Sequence, residues 1–117
     1  TRTAAITGAY VALYQALQTL ANMGVISYIP LENAVAATSV GVVHGNRLLD
    51  LCYDEDFNAE VDFNVVMTSK GEFVEIQGTA EGKPFNKETT EHLLSLAEKG
   101  IQELFQVQEA ALAAIKK

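Results

Sequence analysis

The chain has 117 residues, of which 49% are hydrophobic and 20% are charged. This length and composition fit one compact domain spanning residues 1–117 with a core of its own, and they argue against a disordered chain. The 15 acidic residues outnumber the 8 basic ones and give a net charge of -7. Because binding to nucleic-acid phosphates requires an excess of Lys and Arg, this charge argues against non-specific nucleic-acid binding by the chain alone.

The cysteine count and the hydropathy limit which kinds of protein this chain can be. The single cysteine, Cys52, excludes an internal disulfide and a zinc site built from several cysteines. It favours a reducing compartment, and we expect a cytoplasmic protein. No apolar run reaches the length of a membrane span, the start has no signal-peptide pattern, and no membrane partner is expected. Because residue 1 is Thr1 and not Met, we expect processing, truncation or a break in a longer chain.

The first predicted element is a helix from Thr3 to Asn22. Its apolar residues follow the alternating +4 and +3 spacing of one helix face, which predicts a stripe of core contacts. The stripe consists of Ile6, Tyr10, Leu13, Leu17 and Leu20.

Four strands are predicted next, in hairpin-like order. They span Val35–Val43, Leu48–Tyr53, Val61–Thr68 and Phe73–Thr79. The segment His44–Arg47 has the composition of a hairpin turn. In the third strand, alternation puts Val61, Phe63, Val65 and Met67 on one face and Asp62, Asn64 and Val66 on the other.

A second long helix is predicted after Asn86, whose side chain suits an N-cap, and it runs to about Ile115. Gly100 inside it costs roughly 1 kcal/mol relative to alanine. Its apolar face consists of Leu94, Ala97, Ile101, Leu104, Leu112 and Ile115. The order helix, four strands, helix predicts an α+β two-layer sandwich, in which two helices flank a mainly antiparallel four-stranded sheet.

Two features have the composition of a chemical site. The first is an acidic cluster formed by Asp50, Asp54, Glu55, Asp56, Glu60 and Asp62. Such carboxylates bind Mg²⁺ or Mn²⁺ and serve as general acids or bases, although a solvated acidic loop has the same composition. Asp62 is the least ordinary member because it lies inside an apolar strand, where an unpaired charge is costly.

The second feature is the segment Thr1-Arg2-Thr3 immediately before the first helix. A helix N-terminus attracts anions through its free N–H groups and its dipole, and an arginine adds a bidentate grip on phosphate. The alternative is an ordinary N-cap followed by a surface arginine.

Further short motifs are distributed along essentially the whole chain. They are Thr1–Ala9, Leu49–Leu51, Tyr53, Glu55–Asp56, Ala59–Asp62, Asn64–Thr68, Glu75–Gly82, Pro84–Phe85 and Ala97–Ile101. Taken together, these stretches resemble the C-terminal half of the bacterial ribonuclease PH family of phosphate-dependent exoribonucleases.

The resemblance implies a reaction and a set of site residues. In the family, phosphate attacks the last phosphodiester of RNA, trims transfer-RNA 3′ ends and releases nucleoside diphosphates. Thr1 and Arg2 match the last two residues of the family's phosphate-binding Gly-Thr-Arg motif, and Asp56 and Asp62 match its two catalytic aspartates. The pair implies a proton donor and a site for Mg²⁺ or Mn²⁺, with inorganic phosphate as co-substrate, and Asp50 is kept as a support residue.

The resemblance also implies partners. Family members are about twice this length, and their N-terminal half carries further basic, RNA-contacting residues. We therefore expect the missing N-terminal half, RNA and a homo-oligomeric, hexameric ring as partners. The alternative is a non-catalytic RNA-binding ring subunit of an exosome-like assembly, a class that typically lacks the acid pair or the arginine; here Arg2, Asp56 and Asp62 are all present.

Overall fold

The computed structural model describes residues 2–115, except for the side chains of residues 53, 56 and 115. The elements in chain order are α1 (Arg2–Asn22), β1 (Val35–Val43), β2 (Asn46–Leu49), α2 (Tyr53–Phe57), β3 (Val61–Thr68), β4 (Phe73–Ala80) and α3 (Lys87–Ile115). Two long helices and an open four-stranded antiparallel sheet confirm the predicted α+β class. Within the described residues, no helix is both long and apolar enough to cross a membrane.

The sheet has the strand order β2-β1-β3-β4, and each neighbouring pair is antiparallel. Val40 of β1 pairs with Phe63 of β3, which pairs in turn with Gly78 of β4. Since directly paired residues share a face and successive residues alternate, the odd-numbered residues of β3 all face one side. This confirms the alternation predicted for that strand.

Helix α3 covers the face that carries the odd-numbered residues of β3. The core lies between them and consists of Ala36, Val40, Val61, Phe63, Val65, Met67, Leu93, Ala97, Ile101 and Phe105. The N-cap prediction is confirmed, because Asn86 Oδ1 accepts the backbone N–H of Thr89 at 2.8 Å. The helix is therefore started by a local signal and held by an apolar face.

The buried face of α3 is broader than the spacing predicted. The predicted residues that are buried are Ala97, Ile101 and Leu112. Those that are only half-buried are Leu94 and Leu104, and the Ile115 side chain lies outside the described residues. The helix also buries Leu93, Phe105 and Gln108.

Helix α1 lies along the edge of β1 near Ala37, in the part of that strand that does not pair with β2. Thr7 Oγ1 donates to the carbonyl oxygen of Ala37 at 3.2 Å and accepts from its N–H at 3.0 Å, so one hydroxyl satisfies both edge groups. Gln108 of α3 donates from Nε2 to the carbonyl oxygens of Thr7 and Val35, at 3.0 and 2.9 Å. These contacts join α1, β1 and α3 near the first two turns of α1.

The predicted buried stripe of α1 is wrong at Leu13 and Leu20, which are 49% and 37% exposed. The other three residues of the stripe are only half-buried, and Thr3 is the buried residue of this helix. The reason is length: 21 residues span about 31 Å at 1.5 Å per residue. The joining contacts at Thr7 lie in the first two turns, so the later turns keep a helical apolar pattern without a core to bury it.

The predicted second strand, Leu48–Tyr53, is wrong at both ends, because β2 spans Asn46–Leu49. A hairpin turn is present as predicted, but it consists only of His44 and Gly45, both with positive φ (50° and 79°), as a type I′ turn requires, and the other two predicted turn residues pair with β1. However, β2 ends at Leu49, and Asp50 adopts a left-handed φ of 59°. The N–H of Asp50 still donates to the carbonyl oxygen of Ser39 at 2.6 Å, as a last bond between the two strands, and the left-handed φ of Asp50 then directs the chain away from the sheet.

Candidate functional site

The sheet face opposite α3 carries a row of small and polar side chains. The register sets them side by side across β1, β3 and β4 in two lines: Ser39, Asn64 and Gln77, then Gly41, Asp62 and Thr79. Glu75, paired with Val66, lies on the same face one step further along β4. We call this set of residues the polar face.

Arg2, in the first turn of α1, reaches the polar face. Its Nη2 donates to Glu75 Oε1 at 2.5 Å and to Gln77 Oε1 at 3.1 Å, and its Nη1 donates to Glu75 Oε2 at 3.4 Å. The hydrogen bond from Arg2 lowers the pKa of Glu75, and the same bond raises the pKa of Arg2. Both side chains are partly exposed, so an anion from solvent has access to this guanidinium.

The same contacts bring the start of α1 close to Asp62. Gln77 pairs with Asn64, and Asp62 lies two residues before Asn64 on the same face. Gln77 and Asp62 are therefore diagonal neighbours, a relation that spans about 7–8 Å in antiparallel sheets. Asp62 is half-buried within the polar face. The arginine and this aspartate thus flank one small area of the sheet.

The acidic segment is folded onto the same face. A β-carbon on Gly41 would lie 2.8 Å from Leu51 Cδ1, so Leu51 covers the position directly beside Asp62. Helix α2 follows, and the N–H of Cys52, the residue just before it, donates to Glu55 Oε1 at 2.9 Å, which is the return bond of a capping box. This backbone bond lowers the pKa of Glu55, which gives one member of the acidic cluster a structural role.

Two predicted site residues fall outside the described part of the chain. Thr1 lies outside the described residues, and so does the side chain of Asp56, whose backbone is in α2. Their roles, like that of Asp62, stay predictions. Asp62 and Asn64 nevertheless supply the oxygen donors that a hard cation prefers.

The side chains that the structure describes do not form a complete metal site. Among them, no three His, Cys, Asp or Glu residues lie close enough together to hold a metal ion. Mg²⁺ is commonly bound by only one or two carboxylates together with substrate phosphates and water. The carboxylate of Asp62 on an accessible polar face fits that donor set.

The remaining predicted residue, Asp50, does not belong to the polar face. It lines a cleft of about 500 Å³ between α1, the β1 edge and α3, together with Thr3, Thr7 and Glu103. Most of the remaining lining is apolar, and Gly100 forms part of it. A support role for Asp50 would therefore be exerted from the end of β2 rather than from the polar face, and it stays a prediction.

Glu75 and Gln77 were not among the predicted site residues. Their contacts with Arg2 join positions 73 and 75 residues apart in the chain. The available signal was a polar alternation within β4, which also describes an ordinary exposed strand. Only the sheet register shows that these two side chains meet the start of α1.

Comparison with known proteins shows the family to which the chain belongs. Residues 33–100 match the model of the 3′ exoribonuclease family, domain 2. In solved structures, the chain is similar to rice (Oryza sativa) Rrp46, with a TM-score of 0.58 and 16% identity over 91% of this chain and 46% of that one. At that identity the second likeness supports the fold alone.

Curated relatives are much more similar in sequence. Ribonuclease PH of Dehalococcoides mccartyi strains BAV1 and CBDB1 is 57% identical over 109 residues, covering 93% of this chain and 45% of each relative. Strain 195 has a ribonuclease PH that is 56% identical over 110 residues, covering 94% and 46%. The chain spans about half the length of the curated relatives that it matches. It therefore belongs to the ribonuclease PH family of 3′ exoribonucleases and corresponds to the C-terminal half of its members.

Proposed function

We propose that this chain supplies the phosphate-binding and acid side of a phosphate-dependent 3′-to-5′ exoribonuclease that trims transfer-RNA 3′ ends. The observation that carries the proposal is the hydrogen bond from Arg2 to Gln77, because Gln77 is itself a diagonal neighbour of Asp62. A cation and a carboxylate on the same small area of the sheet can hold the incoming phosphate on one side of a phosphodiester and reach its leaving oxygen on the other. Membership of the ribonuclease PH family supports the same reaction.

The proposed reaction transfers a nucleotidyl group to phosphate. A phosphate oxygen forms a bond to the phosphorus of the terminal nucleotide, and the bond from that phosphorus to the preceding 3′-oxygen breaks. The products are a nucleoside diphosphate and an RNA one nucleotide shorter. Arg2 and Thr1 hold the incoming phosphate and reduce its repulsion from the RNA phosphate, and Asp56 or Asp62 delivers a proton to the leaving 3′-oxygen.

A divalent cation fits this arrangement. Asp62 and Asp56 would hold Mg²⁺ or Mn²⁺, which supplies charge neutralisation at the phosphates when bound. Asp62 would be positioned by its strand, since Gly41 and Thr79 flank it in the sheet and add no competing charge.

The net charge of the chain indicates where RNA would bind in the whole enzyme. A net charge of -7 leaves RNA binding to basic residues elsewhere. We therefore propose that the N-terminal half of the same enzyme, absent from this chain, contributes that surface. We also propose that the enzyme assembles as a hexameric ring and works in the cytoplasm.

Release of nucleoside diphosphate tests the proposal. The chain is mixed with the N-terminal half of a ribonuclease PH relative, a short RNA with an unpaired 3′ end and Mg²⁺, with or without phosphate. Release should require phosphate, and Asp62→Asn or Asp56→Asn should lower the rate at least 100-fold, as loss of an acid catalyst does. Asp54→Asn, an exposed carboxylate outside the proposed pair, is the matched control.

Two results would contradict the proposal. Wild-type rates in both aspartate variants would remove the acid and metal assignment. RNA binding by the assembled protein without any release, at every phosphate concentration, would indicate the alternative function, a non-catalytic ring subunit that only binds RNA.

A further inference from the structure

Arg2 is already engaged before any ligand arrives. Its two Nη2 N–H groups point to Glu75 and Gln77, and one Nη1 N–H points to the second carboxylate oxygen of Glu75. Three of the five N–H donors of the guanidinium are therefore committed to the β4 side chains. The N–H groups outside these bonds are the one on Nε and one on Nη1.

The committed donors are the ones that an oxyanion needs. A guanidinium holds phosphate bidentately along one of two edges, Nη1 with Nη2 or Nε with Nη2. Both edges include Nη2. Glu75 occupies the first edge, and Gln77 takes the Nη2 N–H that belongs to the second. Phosphate can gain a bidentate contact with Arg2 only by displacing one of these side chains.

Glu75 also opposes phosphate by charge. Its carboxylate is an anion in direct contact with the guanidinium, and its pKa is lowered by the hydrogen bond from Arg2, which keeps it ionised at neutral pH. A phosphate at the same edge would meet this negative charge at contact distance. Gln77, an uncharged amide, blocks its edge without adding such repulsion.

We propose that Glu75 is an internal competitor for Arg2, and that its displacement by inorganic phosphate sets the affinity of the site for that co-substrate. The proposal rests on the proposed function, since it takes Arg2 as the phosphate-binding residue. In this proposal Glu75 is a positioning residue, which acts through its contact with Arg2. Replacing its carboxylate by an amide should therefore strengthen phosphate binding without changing the chemical step.

Phosphate binding measures this directly. Isothermal titration of inorganic phosphate into the 117-residue chain, at constant ionic strength, compares the wild type with four variants. Glu75→Gln should lower the Kd by about two- to fivefold, the range for loss of an exposed ion pair. Gln77→Glu, which adds a second carboxylate, should raise it by a similar factor. Arg2→Ala should abolish binding.

The matched control is Glu72→Gln, which makes the same charge change at an exposed position just before β4. Its Kd should stay close to that of the wild type, so a general effect of charge can be subtracted. Thermal melting of each variant checks that it is folded, and Gln77→Glu keeps the test decisive if Glu75→Gln does not fold.

The assembled enzyme separates this proposal from the proposed function. If release depends on phosphate, Glu75→Gln should lower the KM for phosphate and leave kcat unchanged. An unchanged or raised Kd and KM in Glu75→Gln would overturn the competition while leaving the function intact. Tighter phosphate binding by Glu75→Gln, together with no release by the wild type, would uphold the competition and refute the exoribonuclease.

Discussion

Replacement of Gly100 by alanine tests whether packing or helix propensity decides stability in α3. Propensity alone predicts a gain of about 1 kcal/mol in the free energy of unfolding. However, the new β-carbon would lie 2.7 and 2.8 Å from the two Cδ atoms of Leu49 and 3.2 Å from its Cγ. These atoms are the end of a half-buried side chain beside an open cleft, so Leu49 can turn aside at the cost of an off-rotamer side chain, about 0.5–1.5 kcal/mol. The net expectation is that the gain from helix propensity is largely cancelled, with a change within about 0.5 kcal/mol of zero.

Gly8 of α1 is the matched control. It is also a helical glycine, but a β-carbon there has no neighbour within 4 Å. Gly8→Ala should therefore raise the free energy of unfolding by about 0.5–1 kcal/mol. Urea denaturation, with the m-value compared between variants, measures both changes on the same chain.

A double-mutant cycle isolates the contact. In a Leu49→Ala background the obstructing atoms are absent, so adding Gly100→Ala should stabilise the protein by about 1 kcal/mol. The reasoning would be refuted if Gly100→Ala stabilised the wild-type background as much as Gly8→Ala does. It would also be refuted if the effect of Gly100→Ala were the same with and without Leu49.

Three further outcomes are expected from the contacts. Gln108→Ala should lower the free energy of unfolding in urea by about 1–2 kcal/mol, because two part-buried backbone carbonyls lose their donor while a buried Oε1 without a hydrogen bond among the described residues is removed. Exposed Gln106→Ala should change it by less than about 0.5 kcal/mol. Asn86→Ala should lower it by about 1 kcal/mol, and Asn86→Ser should restore most of the loss. Because Arg2 lowers the pKa of Glu75, the stabilisation from their pair is present above about pH 4.5 and is lost as the pH falls through the lowered pKa. The melting temperatures of the wild type and Glu75→Gln should therefore converge in acid, and a constant difference down to pH 2.5 would contradict the assignment.

Local signals in the sequence were sufficient for much of the fold. The Asn86 cap, the alternation of β3 and the turn at His44 and Gly45 each depend on residues within a few positions of one another. These features were predicted correctly because their physical cause is local. The residue pattern made Arg2 a candidate for anion binding and Asp62 a candidate for metal binding or proton transfer, each beside an ordinary structural alternative. The family resemblance then assigned their roles.

Contacts distant in sequence decided what local patterns could not. The apolar stripe of α1 has the spacing of a core face, but the joining contacts with the sheet and α3 lie in its first two turns, so Leu13 and Leu20 remain exposed. Gly100 lowers the helix propensity of α3, but a β-carbon at this position would lie too close to Leu49, a residue of β2. Both outcomes depend on which element lies opposite, a property of tertiary packing.

The sequence by itself determined the α+β class, the strand alternation and the chemical types of the candidate site. Only the tertiary structure decided that Arg2 forms hydrogen bonds with Glu75 and Gln77, and that Asp62 is the diagonal neighbour of Gln77 in the sheet. The physical reason is that hydrogen bonds act over about 3 Å, whereas these partners are separated by more than 70 residues of chain. The register of β3 with β4 brings them together, and register is fixed by burial of the whole sheet rather than by any single segment.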